Sequence, residues 1–151
     1  SYFEETDFCW RVWLLGYKVL FFPKARIYHK VGFSSKRQNQ TFVFYHSLKN
    51  RLLSMIKNFE IKNLIMIGGL QLFLILNLSF FYLIKLQFGK TWMIWKAIGW
   101  NIVHIRSTFA KRKRVQALRE KTDQEIFPYI LKPINWKGMF SHFLKVEANF
   151  R

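Results

Sequence analysis

Three carboxylates, Glu4, Glu5 and Asp7, crowd the first seven residues, and from Phe8 to Phe59 the chain carries ten Lys and Arg but no acid. A carboxylate within hydrogen-bond reach of a substrate hydroxyl can take its proton, so such a cluster has the composition of a general-base site. Acids are also favoured in the first turn of a helix, where they cap free N–H groups and meet the positive end of the dipole. Both readings fit, and on spacing alone the helix start is the better supported. Arg11 follows one helical turn after Asp7 and can serve phosphate or an ion pair to Glu4 or Asp7. His29 closes a short apolar stretch, where a lone imidazole is more often a structural hydrogen-bonder than a ligand. His46, His104 and His142 have no Cys, His or Asp neighbours at zinc-ligand spacing. Cys9, the single cysteine, sits among apolar residues and reads as an inert buried thiol that permits no internal disulfide, which fits a reducing compartment.

The elements that must position these groups fall into zones. Thr6 or Asp7 can cap a helix running through Leu15, with Phe8, Val12 and Leu15 on one face and Gly16 as its stop. Lys18 to Phe22 reads as a short buried strand ended by Pro23, and Arg26 to His29 as a second. Gln40 to Lys62 reads as an amphipathic helix: Phe44, Leu48, Leu52, Met55 and Phe59 recur at helical spacing, and Lys49, Arg51 and Lys57 supply a cationic face. Leu64 to Ile84 then runs 21 residues without a charge. That matches the roughly 20 needed to cross a hydrocarbon core. Gly68-Gly69 within it allows close packing or a kink. Thr91 to Ile105 is apolar and Trp-rich (Trp92, Trp95, Trp100) but contains Lys96, a pattern suited to the headgroup interface. Arg106 to Lys121 is basic, and Ile126 to Arg151 shows no motif.

Composition narrows the partners. The 151 residues carry 25 Lys and Arg against 8 Asp and Glu, for a net +17, yet 51% are hydrophobic and 19% aromatic. So apolar a chain is not an intrinsically disordered basic tail. The charge implies an anionic partner, either nucleic acid, a membrane surface or an acidic substrate. Lys57 and Lys62 precede the apolar run, while Lys85, Lys90 and Lys111 to Arg114 follow it. A hairpin with both ends cytoplasmic satisfies the positive-inside rule best, and two segments lying in the interface satisfy it nearly as well.

The acidic end carries a denser pattern. Phe3-Glu4-Glu5-Thr6-Asp7-Phe8-Cys9-Trp10-Arg11, Leu15-Gly16-Tyr17-Lys18-Val19, Phe22-Pro23-Lys24-Ala25, Tyr28-His29, Gly32 and Ser34 stand in this order within 35 residues. This set resembles the end of the catalytic domain in family 2 glycosyltransferases, the inverting GT-A enzymes of the rhamnosyltransferase-like group. Weaker echoes follow in Phe44-Tyr45 with Lys49-Asn50-Arg51, and in Lys111 to Arg119 with Thr122 to Ile126. The resemblance implies an α/β fold class: a C-terminal remnant of a Rossmann-like GT-A domain over residues 1–39. A connecting helix over 40–62, a membrane-embedded or interfacial hairpin over 63–105 and a basic cytoplasmic tail over 106–151 would follow. It implies sugar transfer with inversion from a nucleotide-sugar donor to a glycan or lipid-linked acceptor at the cytoplasmic membrane face.

By the same resemblance Glu5 is the base, although the family more often has Asp there. Glu4 and Asp7 support it, Arg11, Trp10, Gly32 and Ser34 bind substrate or diphosphate, and His29 approaches a divalent metal, Mg or Mn. The family's Asp-x-Asp metal motif does not occur in these residues. The chain is therefore expected to be the C-terminal part of something longer, and inactive alone. A basic membrane-surface or nucleic-acid-binding module without catalysis is the alternative.

Overall fold

The computed structural model describes residues 2–26, 28, 40–131, 135, 138 and 141. Among them every regular element is a helix, which overturns the expected α/β class. Lys18 to Phe22 forms no strand, and Leu20 and Phe21 are 80% and 90% exposed. A strand needs a partner's N–H and C=O groups, and no second strand lies among the described residues to supply them. The second expected strand, Arg26 to His29, lies partly outside the described residues; Arg26 and Tyr28 are irregular and exposed.

Helix α1 spans Glu4–Leu14. Phe3, not Thr6 or Asp7, occupies its cap position in a left-handed conformation, and no side chain caps the end. Its buried residue is Leu14, while the expected apolar residue Phe8 is 60% exposed. Gly16 terminates it at φ 77: the Gly16 and Tyr17 N–H groups donate to the Trp13 and Val12 carbonyls, the paired bonds of a Schellman end. The Glu120 and Lys121 N–H groups bond Leu14 O at 2.8 and 3.1 Å. A Cβ on Gly16 would meet the Glu120 carboxylate at 3.0 Å, so both conformation and space require glycine there.

Helix α2, Gln40–Asn58, ends four residues before the expected Lys62. Its apolar stripe faces inward: Leu48, Met55 and Phe59 are buried, and Phe44 and Leu52 are packed against the core. After the break at Phe59-Glu60 a continuous helix runs Ile61–Ile84, made of α3 (Ile61–Asn63), a π-helical segment (Leu64–Gly68) and α4 (Gly69–Ile84). At 24 residues it is long and apolar enough to cross a membrane, and only 11% of its apolar window is buried. Helix α5, Phe88–Val103, returns after a tight turn, and α6, Ile105–Ala117, continues it past His104. Leu48, Ile75, Tyr82, Ile94 and Ala97 form the core shared by α2, α4 and α5. Tyr45 meets Lys96, Lys49 meets Trp100, and Arg112 meets Ile56, so α5 and α6 run parallel to α2.

Helix α7, Asp123–Ile130, begins in the Thr122 to Ile126 segment and runs into the stretch after Ile126 in which no motif was expected. Thr122 and Glu125 form a capping box, and Lys121 foremost, with Thr122, pulls the Glu125 carboxyl down to about 2.

The C-terminus of α2 is where the basic tail is used. A helix ends with carbonyls that have no intrahelical partner. Here Arg112 donates to Ile56 O (2.6 Å) and Phe59 O (2.7 Å), and Gln116 to Lys57 O (2.9 Å) and Asn58 O (3.1 Å). Arg119 also donates to Asn58 O. These three residues of the basic segment are thus part of the packed structure, with two cations at the negative end of the α2 dipole. Arg112→Ala is expected to cost roughly 2–3 kcal/mol, since it strands two carbonyls and removes a charged donor. Reversible denaturant unfolding in detergent measures this.

Candidate functional site

Helix α1 lies against the C-terminal half of α2 and against α7, which gives its acids three different environments. Asp7 faces α2. Its carboxylate accepts from Ser54 Oγ (2.7 Å), Asn58 Nδ2 (3.0 Å), Lys57 Nζ (2.8 Å) and Arg11 Nε (3.2 Å). The Lys57 and Asp7 side chains are 14% and 17% exposed, while Arg11 is 43% exposed and adds little. Burial alone pushes the Asp7 carboxyl up, but the Lys57 and Ser54 hydrogen bonds, the Lys57 charge and Asn58 outweigh it and hold it below its ordinary value. Asp7 is therefore an anchor between helices, and Arg11 takes the ion-pair alternative of its two readings.

The sign of the resulting pH dependence follows from the lowered value. The stability from Asp7 is fully present above the unfolded carboxyl's pKa near ~4 and is lost as pH falls through the lower folded value. Asp7→Asn is expected to destabilise by roughly 1.5–3 kcal/mol at neutral pH and to flatten the acid limb of a stability–pH curve. Unfolding midpoints measured from neutral to acidic pH read both effects.

Glu4 and Glu5 are exposed and have no hydrogen-bond or ion-pair partner among the described residues. Glu5 stands at an open cleft of about 680 Å³ whose wall includes Trp10, Trp13, Arg51, Phe59, Gln71 and Leu131. The wall is mostly aromatic and aliphatic because α1, α2 and α7 turn their rings inward together. Trp10 packs edge-on against Phe59 at 4.4 Å, Phe59 against Phe127 at 6.1 Å, and Trp13 stacks on Tyr129 at 5.1 Å. The Trp10 indole N–H is buried without an acceptor among the described residues. Cys9, expected to be buried, is half-buried and lines the same cleft. Gln71 brings the wall onto the long apolar helix.

The structure thus brings Glu5, Trp10 and Arg51 to one cleft, leaves Glu4 exposed on the same helix turn, turns Asp7 toward α2 and pairs the half-exposed Arg11 with it. His29, Gly32 and Ser34 lie outside the described residues. No group of three His, Cys, Asp or Glu able to hold a metal occurs among the described residues. No family model, curated protein or solved structure matches the chain.

A second carboxylate hub went unread in the sequence. Asp123 is fully buried and accepts from Glu60 N (2.8 Å), Asn63 Nδ2 (2.8 Å) and Arg119 Nη1 (3.0 Å). The Glu60 carboxylate in return accepts from Asp123 N at 2.8 Å. Two helix N-termini therefore hold each other's acids. Only the capping box at Thr122 signals locally that a helix begins there; its partner lies 63 residues away.

Proposed function

We propose that this chain supplies the catalytic carboxylate and the membrane seat of an inverting glycosyltransferase acting at the cytoplasmic membrane face. The reading is carried by one juxtaposition: Glu5 is exposed beside an aromatic cleft that opens next to the apolar helix Ile61–Ile84. The motif resemblance around Glu4 to Arg11 supports it.

In this reading Glu5 takes the proton of an acceptor hydroxyl as that oxygen attacks the anomeric carbon of a nucleotide-sugar. The new C–O bond forms as the sugar–phosphate bond breaks on the opposite face. The nucleoside diphosphate leaves with the bonding electrons, and the anomeric configuration inverts. The acceptor, a glycan or lipid-linked glycan, lies against the Trp10 and Trp13 wall. Glu4, exposed on the same helix turn but outside the cleft, adds negative charge nearby, and Arg51 offers a cation to the departing phosphate. A divalent metal, Mg or Mn, belongs to the proposal as a stabiliser of the leaving diphosphate. The described residues do not assemble its site, so no step is routed through it.

The test is sugar transfer by the enzyme that carries this chain. Glu5→Gln abolishes most turnover and keeps donor binding, whereas the 151 residues alone transfer no sugar. A second reading, a membrane-surface module without catalysis, draws on the exposed apolar face of α4, where Phe73 and Phe80 are each 62% exposed. It requires Glu5→Gln to leave transfer intact.

A further inference from the structure

The seam between α2 and α5 holds cations that no carboxylate among the described residues pairs with. On α5, Trp92, Lys96, Trp100 and His104 recur every four residues and so share one stripe. On α2, Tyr45 and Lys49 face that stripe. Lys49 Nζ lies 4.6 Å from the Trp100 ring centre and 5.7 Å from that of Tyr45, and Lys96 Nζ lies 5.1 Å from the Tyr45 ring. All three separations are within cation–π range. One phenol ring therefore steadies two ammonium groups. Among the described residues neither lysine has an ion pair, although Asp7, Asp123 and Glu125 each hold a cation elsewhere.

Their surroundings carry the same sign. Burial first, then Lys49 and Lys96, lower the basicity of His46, and burial followed by Lys111 lowers that of Lys49. Positive charge has been gathered on rigid aromatic supports rather than spread over flexible side chains.

The seam adjoins an apolar face. Ile98 of α5 and Leu78 and Phe81 of α4 are partly buried and pack against the shared core. Phe73, Phe80, Leu83 and Ile84 of α4 and Trp95 of α5 are exposed. Helix α5 packs against both α2 and α4, and Leu48, Ile75, Ile94 and Ala97 share one core, so Lys49 and Lys96 share the level of the apolar helix rather than standing beyond its ends. A charge at mid-bilayer is costly, whereas a bundle lying in one leaflet keeps the seam at headgroup level while the α4 face enters the acyl region. Trp and Lys together are the residues that favour that boundary.

We propose that Lys49 and Lys96, held on Tyr45 and Trp100, bind the phosphate of an anionic lipid headgroup, with the bundle lying in the leaflet on its α4 face. This rests on the membrane-seat half of the proposed function and is independent of sugar transfer by Glu5.

The test is flotation of the purified chain with phosphatidylcholine vesicles, with and without phosphatidylglycerol, at physiological salt. Lys49→Gln/Lys96→Gln is compared with Arg106→Gln/Lys113→Gln, which removes the same charge from exposed positions outside the seam. The seam pair is expected to lower the phosphatidylglycerol-dependent affinity roughly tenfold to thirtyfold, and the control pair at most about threefold. Equal losses would show diffuse attraction and overturn the site. Undiminished retention in the presence of glycerol phosphate supports the lipid source; displacement by it overturns that source in favour of a soluble phosphate. Preferential binding of an oligonucleotide over the vesicles overturns the lipid reading.

Should the seam variant not fold, amine footprinting of the unmodified chain decides. Anionic vesicles should protect Lys49 and Lys96 but not Lys113, and uniform labelling overturns the proposal. Loss here with normal transfer, or normal binding here with transfer lost in Glu5→Gln, separates this inference from the catalytic one.

Discussion

Glu5→Gln is expected to lower sugar turnover by about 10²–10⁴-fold in the enzyme that carries this chain, with its unfolding midpoint unchanged. Gln matches Glu in size and keeps an acceptor oxygen, but it cannot take a proton at neutral pH. Glu5 is exposed and has no partner among the described residues, so folding does not depend on its charge. A base acts on the hydroxyl only as the bond forms; its loss therefore appears in kcat, with the donor's KM nearly constant. Glu4→Gln serves as the companion, also exposed on α1 but not lining the cleft, and should cost less than about tenfold. Initial rates of labelled-sugar transfer in isolated membranes measure both. A Glu5→Gln enzyme at the parental rate would leave the membrane-module reading standing.

Asp123→Ala should be the most destabilising of the structural changes, by about 3–5 kcal/mol, because it removes one member of a buried ionic cluster. Asp123 is fully buried, and Arg119, its ion-pair partner, has a side chain only 10% exposed. Alanine leaves that guanidinium without its counter-charge and removes the acceptor of both Glu60 N and the Asn63 amide. It also loosens Arg119 from the end of α2, so α2, α3, α6 and α7 are all affected. Denaturant unfolding in detergent gives the number, and Asp123→Asn, which keeps one acceptor oxygen, should fall between the variant and the parent. A loss below about 1 kcal/mol would mean that Glu60 and Asn63 find replacement acceptors.

What the sequence disclosed depended on whether the deciding partner was near in the chain. The α2 stripe from Phe44 to Phe59 is a spacing of three and four, and those residues do face the core. Gly16 as a helix stop and the charge-free run of α4 are likewise local patterns. Lys18 to Phe22 failed for a complementary reason. Apolar, aromatic residues resemble a buried strand in any sequence, but only a neighbouring strand makes them one, and composition does not report neighbours.

The candidate site divided along the same line. On spacing alone Glu4, Glu5 and Asp7 are equivalent, and only Ser54, Lys57 and Asn58, about fifty residues on, turn Asp7 into an anchor and leave Glu5 at the cleft. Arg112, Gln116 and Arg119 stand at helical spacing, yet nothing within the basic segment names the α2 carbonyls as their target.

The π-helical segment Leu64–Gly68 works as a phase adaptor. The helix it interrupts obeys two separate docking patterns: Asn63 must point at Asp123, and Ile75, Ser79 and Tyr82 must point into the bundle. Each residue of an α-helix advances the azimuth by about 100°, so two fixed azimuths twelve residues apart are compatible with only some residue counts. A wider turn takes up one residue more than an α-turn and corrects the remainder without tilting the axis. Removing a single residue there would let the wide turn close to an ordinary α-turn, whereas removing one between residues 69 and 74 would rotate everything downstream by about 100° relative to Asn63. Ile75, Ser79 and Tyr82 would then turn out of the bundle core, with no side chain chemically altered.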